Sequence, residues 1–221
     1  MMNHFTALLG FVFSFIILTA QAQEEIPKKL SEEKREVLAE LDQKFPTYST
    51  IAQQIWEFAE LGYQEVKSSE LLQETLQKEG FTIAAGVAEI PTAFTASYGS
   101  GSPIIAILAE FDALPGVSQA AVAYRQEVQK GGNGHACGHH LFGTGSTAAA
   151  IAVKNWLQRT GTQGTIRLMG TPAEEGGAGK VYMVRAGLFK DVDVALHWHA
   201  SSKNAASAVS SLSNKSAKFR F

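Results

Sequence analysis

The run IIAILA at 104–109 constrains this chain more than any other stretch. It has six consecutive apolar side chains, with GSGSP before it and EFDALP after it. Six residues are few for a helix, and a half-exposed strand would alternate polar with apolar. Successive strand side chains point to opposite faces, so an all-apolar strand is buried on both. The run therefore predicts a strand inside a sheet that helices cover. In open α/β sheets ligands gather at the carboxyl ends of strands. Here Glu110, Phe111 and Asp112 follow that end directly.

Other stretches extend this picture. Short strands are expected at 81–83, 93–98, 165–170 and 192–199. Ser31 followed by Glu32 and Glu33 reads as a helix start, with a cap and acid in the first turn. Val37, Leu38, Leu41 and Phe45 then recur at helical spacing, and Pro46 is expected to end or break that helix. A second helical stretch carries Ile51, Ile55, Phe58 and Ala59 up to Gly62. A third starts near Ser68 or Ser69, shows Leu71, Leu72 and Leu76, and stops at Gly80. Positions 117–132 read as a loop or surface helix, 141–157 as a buried helix and 180–186 as a short one. The alternation of strands and helices predicts an α/β domain: a mixed, largely parallel sheet flanked by helices.

A length of 221 residues suits one domain with the start of a second. The net charge of −2 offers no basic field for nucleic acid. A single cysteine excludes an internal disulfide. The apolar stretch at 6–20, followed by Ala20-Gln21-Ala22 and then polar residues, has the pattern of a secretory signal peptide. Cleavage after Ala22 is expected, giving an exported chain, periplasmic or secreted, with no stable membrane insertion afterwards.

The chemistry concentrates at 134–146, GHACGHHLFGTGS, which holds Cys137 and three of the six histidines: His135, His139 and His140. If the backbone there is extended, Cys137 and His139 point the same way. A thiolate and an imidazole that converge suit a divalent transition metal. The small residues from Gly143 to Ala150 let a helix pack closely behind them. Two further strand ends carry donors: Glu174 and Glu175 after the strand at 165–170, and His197 and His199 at the end of 192–199. One edge of a doubly wound sheet collects all of these. Cys137, His139, one glutamate and one histidine would suit Zn²⁺, Mn²⁺ or Co²⁺. Of two adjacent glutamates, one can bind metal while the other serves as general base.

Four ordered motifs carry a family resemblance: AEFDALP at 109–115, GHACGHHLFGTGS, TPAEEGGAGK at 171–180 and DVALHWH at 193–199. Together they resemble the metal-dependent amidohydrolases and peptidases that include aminoacylases, hippurate hydrolases and indoleacetyl-amino-acid hydrolases. Within these they most resemble the p-aminobenzoyl-glutamate hydrolase group. The resemblance implies a zinc-peptidase-like catalytic domain, interrupted by a smaller lid or dimerisation domain, with two divalent metals, Zn²⁺ or Mn²⁺, per complete site. It implies Cys137, His139 and Glu175 as metal ligands and Glu174 as the base. It also implies a ligand histidine on the next strand: His199 matches the family position, and His197, on the same strand face, is the alternative. Asp112 resembles the acid that orients a ligand, and His140 stands where Asn or Asp is more usual. The implied substrates are N-acyl or N-aroyl amino acids or dipeptides, and the implied assembly at full length is a homodimer. On this reading 1–22 is the signal peptide, 23–205 an incomplete catalytic domain and 206–221 the start of the lid. The family pattern runs on to more strands and a final ligand histidine. The chain is therefore expected to be an N-terminal fragment, inactive alone.

Competing functions fit less well. Gly143, Gly145 and Ala148 loosely match a dinucleotide-binding loop, but no strand leads into them and no acid lies about 20 residues on. A cysteine hydrolase built on Cys137 and His139 would leave the glutamate pair without a role. A metal-binding protein without turnover is the main alternative to a hydrolase.

Overall fold

The structure, a computed structural model, describes residues 30–206, 210, 217 and 219–221. The leader expected at 1–22 lies outside the described residues, as does most of the segment expected to open a lid. Among the described residues, no helix is long and apolar enough to cross a membrane.

The stretch IIAILA forms β3 (Ile104–Ala109), with the bounds its composition predicts. The other strands are β1 (Thr82–Ala85), β2 (Phe94–Ser100), β4 (Gly164–Gly170) and β5 (Val194–Leu196). They form one mixed sheet in the order β1-β2-β4-β3-β5. β1 with β2 and β2 with β4 are antiparallel, whereas β3 runs parallel to both β4 and β5. Both faces of β3 are used, as its apolar run requires. Ile107 and Ala109 join one core with Ile55, Leu72, Phe94, Phe111, Ile151 and Leu168. Ala106 faces the opposite core, with Ile90, Met169 and Met183.

Helices α1 (Glu32–Phe58), α2 (Val66–Lys78) and α3 (His139–Thr160) supply the first core, and the short helix Gly179–Arg185 contributes Met183 to the second. Ser31 caps α1, accepting from the Lys34 amide at 3.4 Å. Pro46 neither ends nor divides this helix. An interior proline costs about 3 kcal/mol. Here Pro46 and Asp42, whose carbonyl loses its helical donor, both lie on the exposed side where water can serve that carbonyl. One continuous helix also fixes the packing register. Ile51 and Ile55 are buried, and at 100° per residue Val37, Leu41 and Tyr48 line up with them, half-buried. Leu38 and Phe45 fall off that stripe and are 48% and 67% exposed, contrary to the face expected for them.

The expected strand at 192–199 is shorter. Only Val194–Leu196 pairs with β3, at the sheet edge, and the chain then leaves the sheet. Positions 117–132 form an irregular loop without a helix. Because β3, β4 and β5 are parallel, their carboxyl ends reach one edge together. Residues 110–112, 174–175 and 197–199 leave the sheet there.

Candidate metal centre

Asp112 lies at the centre of this edge, 1% exposed. One carboxylate oxygen is 2.8 Å from His139 Nδ1, and the other accepts from the Glu175 amide at 2.8 Å. Since a carboxylate only accepts, His139 carries a proton on Nδ1 and turns its Nε2 lone pair away. That Nε2 is buried and has no hydrogen-bond partner. It lies 3.8 Å from a carboxylate oxygen of Glu174 and 3.8 Å from Glu175 Oε1, which is likewise buried and unpartnered. Two orphaned acceptors facing each other are costly unless something positive sits between them. Burial alone would push the His139 imidazole down, but Asp112, followed by Glu110 and Glu175, raises it above its ordinary value. The site thus favours a positive charge at Nε2, supplied by a proton or by a metal cation.

His139 belongs to two donor groups, each with its ligand atoms within 4.8 Å of one another: Cys137, His139 and His199; and His139, Glu174 and Glu175. The thiol and His199 Nε2 are 3.3 Å apart. Thiolate, imidazole and carboxylate at this spacing are a donor set that fits Zn²⁺ or a similar cation. Without a cation the Cys137 thiol is pushed up to about 11, by burial and then by Glu175 and the other carboxylates.

The convergence of Cys137 and His139 does not come from extended backbone. Gly138 between them adopts φ 83°, ψ 19°, a left-handed conformation that glycine enters without a Cβ penalty, and His139 is the first residue of α3. The small residues behind it allow close approach. A Cβ on Gly143 would meet the Glu110 carbonyl at 2.8 Å, and one on Gly145 would meet the Trp198 ring at 2.9 Å.

The two histidines of the third strand end have different neighbours. His199 lies beside Cys137, with its ring 4.8 Å from that of Phe142. His197 instead pairs with Glu110 at 3.2 Å and belongs to neither donor group. His135 and His140 also stand apart from those groups. Their rings are 5.0 Å apart, and His135 donates from Nε2 to the Ile55 carbonyl at 3.0 Å. Burial and then His140 push the His135 imidazole down to about 4, which keeps it neutral. A cavity of about 440 Å³ adjoins His135 and Ala136, walled by Trp56, Phe58, Val117 and Val128; none of the metal-type donors lines it.

Glu110 is the residue sequence reasoning passed over. It is 2% exposed and binds the Lys180 ammonium and His197, and its other oxygen lies 3.3 Å from His139 Nε2. Burial would raise its carboxyl, but the bonds from His197 and Lys180 outweigh burial and hold it down at about 2. A signal was present: Glu110 is two residues before Asp112 on an extended run, hence on the same side.

Residues 106–211 match the sequence profile of peptidase family M20/M25/M40. That match spans β3, the Cys/His cluster, the glutamate pair and both candidate histidines. It places the chain in the M20/M25/M40 family. Among curated M20-type relatives, a p-aminobenzoyl-glutamate hydrolase of Escherichia coli is 49% identical over 79% of this chain and 36% of its own length. The human Xaa-Arg dipeptidase is 30% identical over 75% of this chain and 38% of its own. A solved Bacillus subtilis protein, described as a dinuclear metal-binding peptidase from the M20 family, superposes with a TM-score of 0.62 at 26% identity. It covers 71% of this chain, which covers 43% of it. The chain thus spans less than half the length of these M20 relatives.

Proposed function

We propose that these residues form the metal-binding part of an M20 amidohydrolase that cleaves the amide bond of N-acyl or N-aroyl amino acids, p-aminobenzoyl-glutamate among them. The observation that carries this reading is the Asp112–His139 pair. It aims a bare, buried Nε2 at the glutamate pair and at the side where Cys137 and His199 meet. The curated names of the relatives, an aminobenzoyl-glutamate hydrolase and a dipeptidase, support the bond type. The dinuclear neighbour supports divalent metals.

In this proposal Cys137, His139, Glu175 and His199 hold Zn²⁺ or Mn²⁺. When bound, such a metal polarises the scissile carbonyl and brings the pKa of water to about 7. Asp112 keeps His139 in the tautomer that can bind, and the Cys137 thiol gives up its proton on binding. Glu174 is the more exposed of the pair, its side chain 44% accessible against 19% for Glu175. It takes the proton from the attacking water and delivers it to the leaving nitrogen. The apolar stretch at 6–20 followed by AQA supports export with cleavage after Ala22, which N-terminal sequencing of the exported chain tests.

The functional test uses two proteins: the chain from residue 23, and a chimera in which this segment replaces its counterpart in the Escherichia coli relative. Each is loaded with Zn²⁺ or Mn²⁺ and assayed on p-aminobenzoyl-glutamate. The chimera is expected to hydrolyse it, and Glu174→Gln to lower turnover by about 10²-fold or more with metal retained. Near-parent turnover by a metal-loaded Glu174→Gln chimera would overturn the assignment. Metal binding without turnover in every form would favour the non-catalytic alternative.

A further inference from the structure

The turn that carries Glu174 and Glu175 is held in an unusual conformation. Ala173 has φ 55° and ψ 44°. For a residue with a Cβ, left-handed backbone costs about 1–2 kcal/mol, so something must hold it there. The holder is the segment 60–65, which links α1 to α2. Glu65 is fully buried; one carboxylate oxygen accepts from the Ala173 amide at 2.8 Å, and the other accepts from the Thr92 hydroxyl at 3.0 Å. Glu65 occupies the N-cap position of α2, yet its side chain makes no cap bond there. Its acceptors go instead to a residue 108 positions away. Two residues earlier, the Tyr63 hydroxyl donates to the Gly177 carbonyl at the far end of the same turn. Gly62 lies so close that a Cβ would meet Ala173 at 3.0 Å. The same segment reaches the Asp112 loop: the Ala113 amide donates to the Glu60 carbonyl at 2.8 Å. The amides on either side of Glu174 are thus clamped by carboxylates from two different elements, Ala173 by Glu65 and Glu175 by Asp112.

We propose that Glu65, assisted by Tyr63, is a positioning residue that sets the conformation from which Glu174 and Glu175 project, and so sets the geometry and affinity of the metal centre. This rests on the reading that the cluster binds metal. A carboxylate that served only the packing of α2 would have no reason to reach the peptide just before the glutamate pair.

The test titrates the full 221-residue chain with Co²⁺ and follows both affinity and the ligand-field spectrum, which reports ligand geometry directly. Glu65→Ala is expected to weaken Co²⁺ by about 10–100-fold, the usual range for losing a group that orients a ligand, and to alter the spectrum. Glu65→Gln keeps an oxygen for the Ala173 amide and is expected to restore the spectrum and most of the affinity. Tyr63 is 41% exposed, so Tyr63→Phe leaves the core intact. It carries the test if Glu65→Ala does not fold, with a smaller loss of affinity expected at an unchanged melting temperature. Parent-like affinity and spectrum in folded Glu65→Ala, or in Tyr63→Phe where only that variant folds, would overturn the proposal. Cys137→Ala separates the two ideas. If it loses Co²⁺ while the Glu65 and Tyr63 variants do not, the positioning role alone fails. If the parent binds no Co²⁺, or Cys137→Ala binds as the parent does, the metal-site reading fails and the positioning role falls with it.

Discussion

Glu110, Asp112 and His139 form an inner wall that is 2%, 1% and 0% exposed, whereas the arm carrying His197 and His199 is exposed at every position from 193 to 200. The inner wall is fixed by hydrogen bonds from four directions: His139, the Glu175 amide, Lys180 and His197. The arm rests on a three-residue edge strand, the Trp198 bond to the Ser146 hydroxyl at 3.2 Å, and the Phe142 ring. The difference separates two jobs. The wall is arranged by the fold itself, before any ion arrives. The arm brings its ligand from a solvated edge and gains most of its order when a metal ties His199 to Cys137.

Breaking the wall should therefore have the largest effect, and on two quantities at once. Asp112→Ala leaves His139 Nδ1 and the Glu175 amide without their acceptor. Each buried unpaired group costs about 1–3 kcal/mol. The metal-free variant is expected to show a clearly lower denaturant midpoint, and metal affinity is expected to fall by about 10–100-fold as well. A parent-like midpoint would mean the wall is not pre-arranged.

The arm should show the opposite split. His199→Ala is expected to lose metal affinity while the metal-free stability stays within about 0.5 kcal/mol of the parent, as for other exposed positions. His197→Ala should retain more metal than His199→Ala, because His197 faces Glu110 rather than the thiol. Reversal of that order in a calorimetric titration would exchange the roles of the two histidines.

The smallest effect concerns acid. The Glu110 carboxyl is held at about 2 against an ordinary 4.5, because the bonds from His197 and Lys180 outweigh its burial. A carboxyl depressed in the folded state stabilises the fold fully above its unfolded value and loses that contribution as pH falls toward its folded value. In the metal-free chain, stability should therefore fall between about pH 4.5 and 2, and Glu110→Gln should flatten part of that slope. An unchanged slope in chemical denaturation at several pH values would remove Glu110 from the wall.

The same contrast explains what the sequence made legible. β3 was readable to the residue because a strand buried on both faces leaves no polar position to blur its ends. The strand at 192–199 was read too long because an edge strand pairs on one side only, and apolar residues there do not require pairing. Pro46 misled because its cost depends on solvation of the Asp42 carbonyl, which no local pattern encodes. The donor residues were visible as types and spacings, but the route that joins Cys137 to His139 runs through a left-handed Gly138, not along a strand. Glu110 was legible from its parity with Asp112. Glu65 was not, since its partner Ala173 is brought near only by the finished fold.

The central claim is that Cys137 and His199, from the Cys/His loop and the exposed arm, meet His139 and Glu175 on one divalent ion. X-ray absorption on the zinc-loaded 221-residue chain tests it most directly. The account predicts one sulfur scatterer at about 2.3 Å together with nitrogen and oxygen scatterers at about 2.0–2.2 Å, and loss of the sulfur shell in Cys137→Ala. A zinc shell of nitrogen and oxygen alone in the parent chain would contradict it.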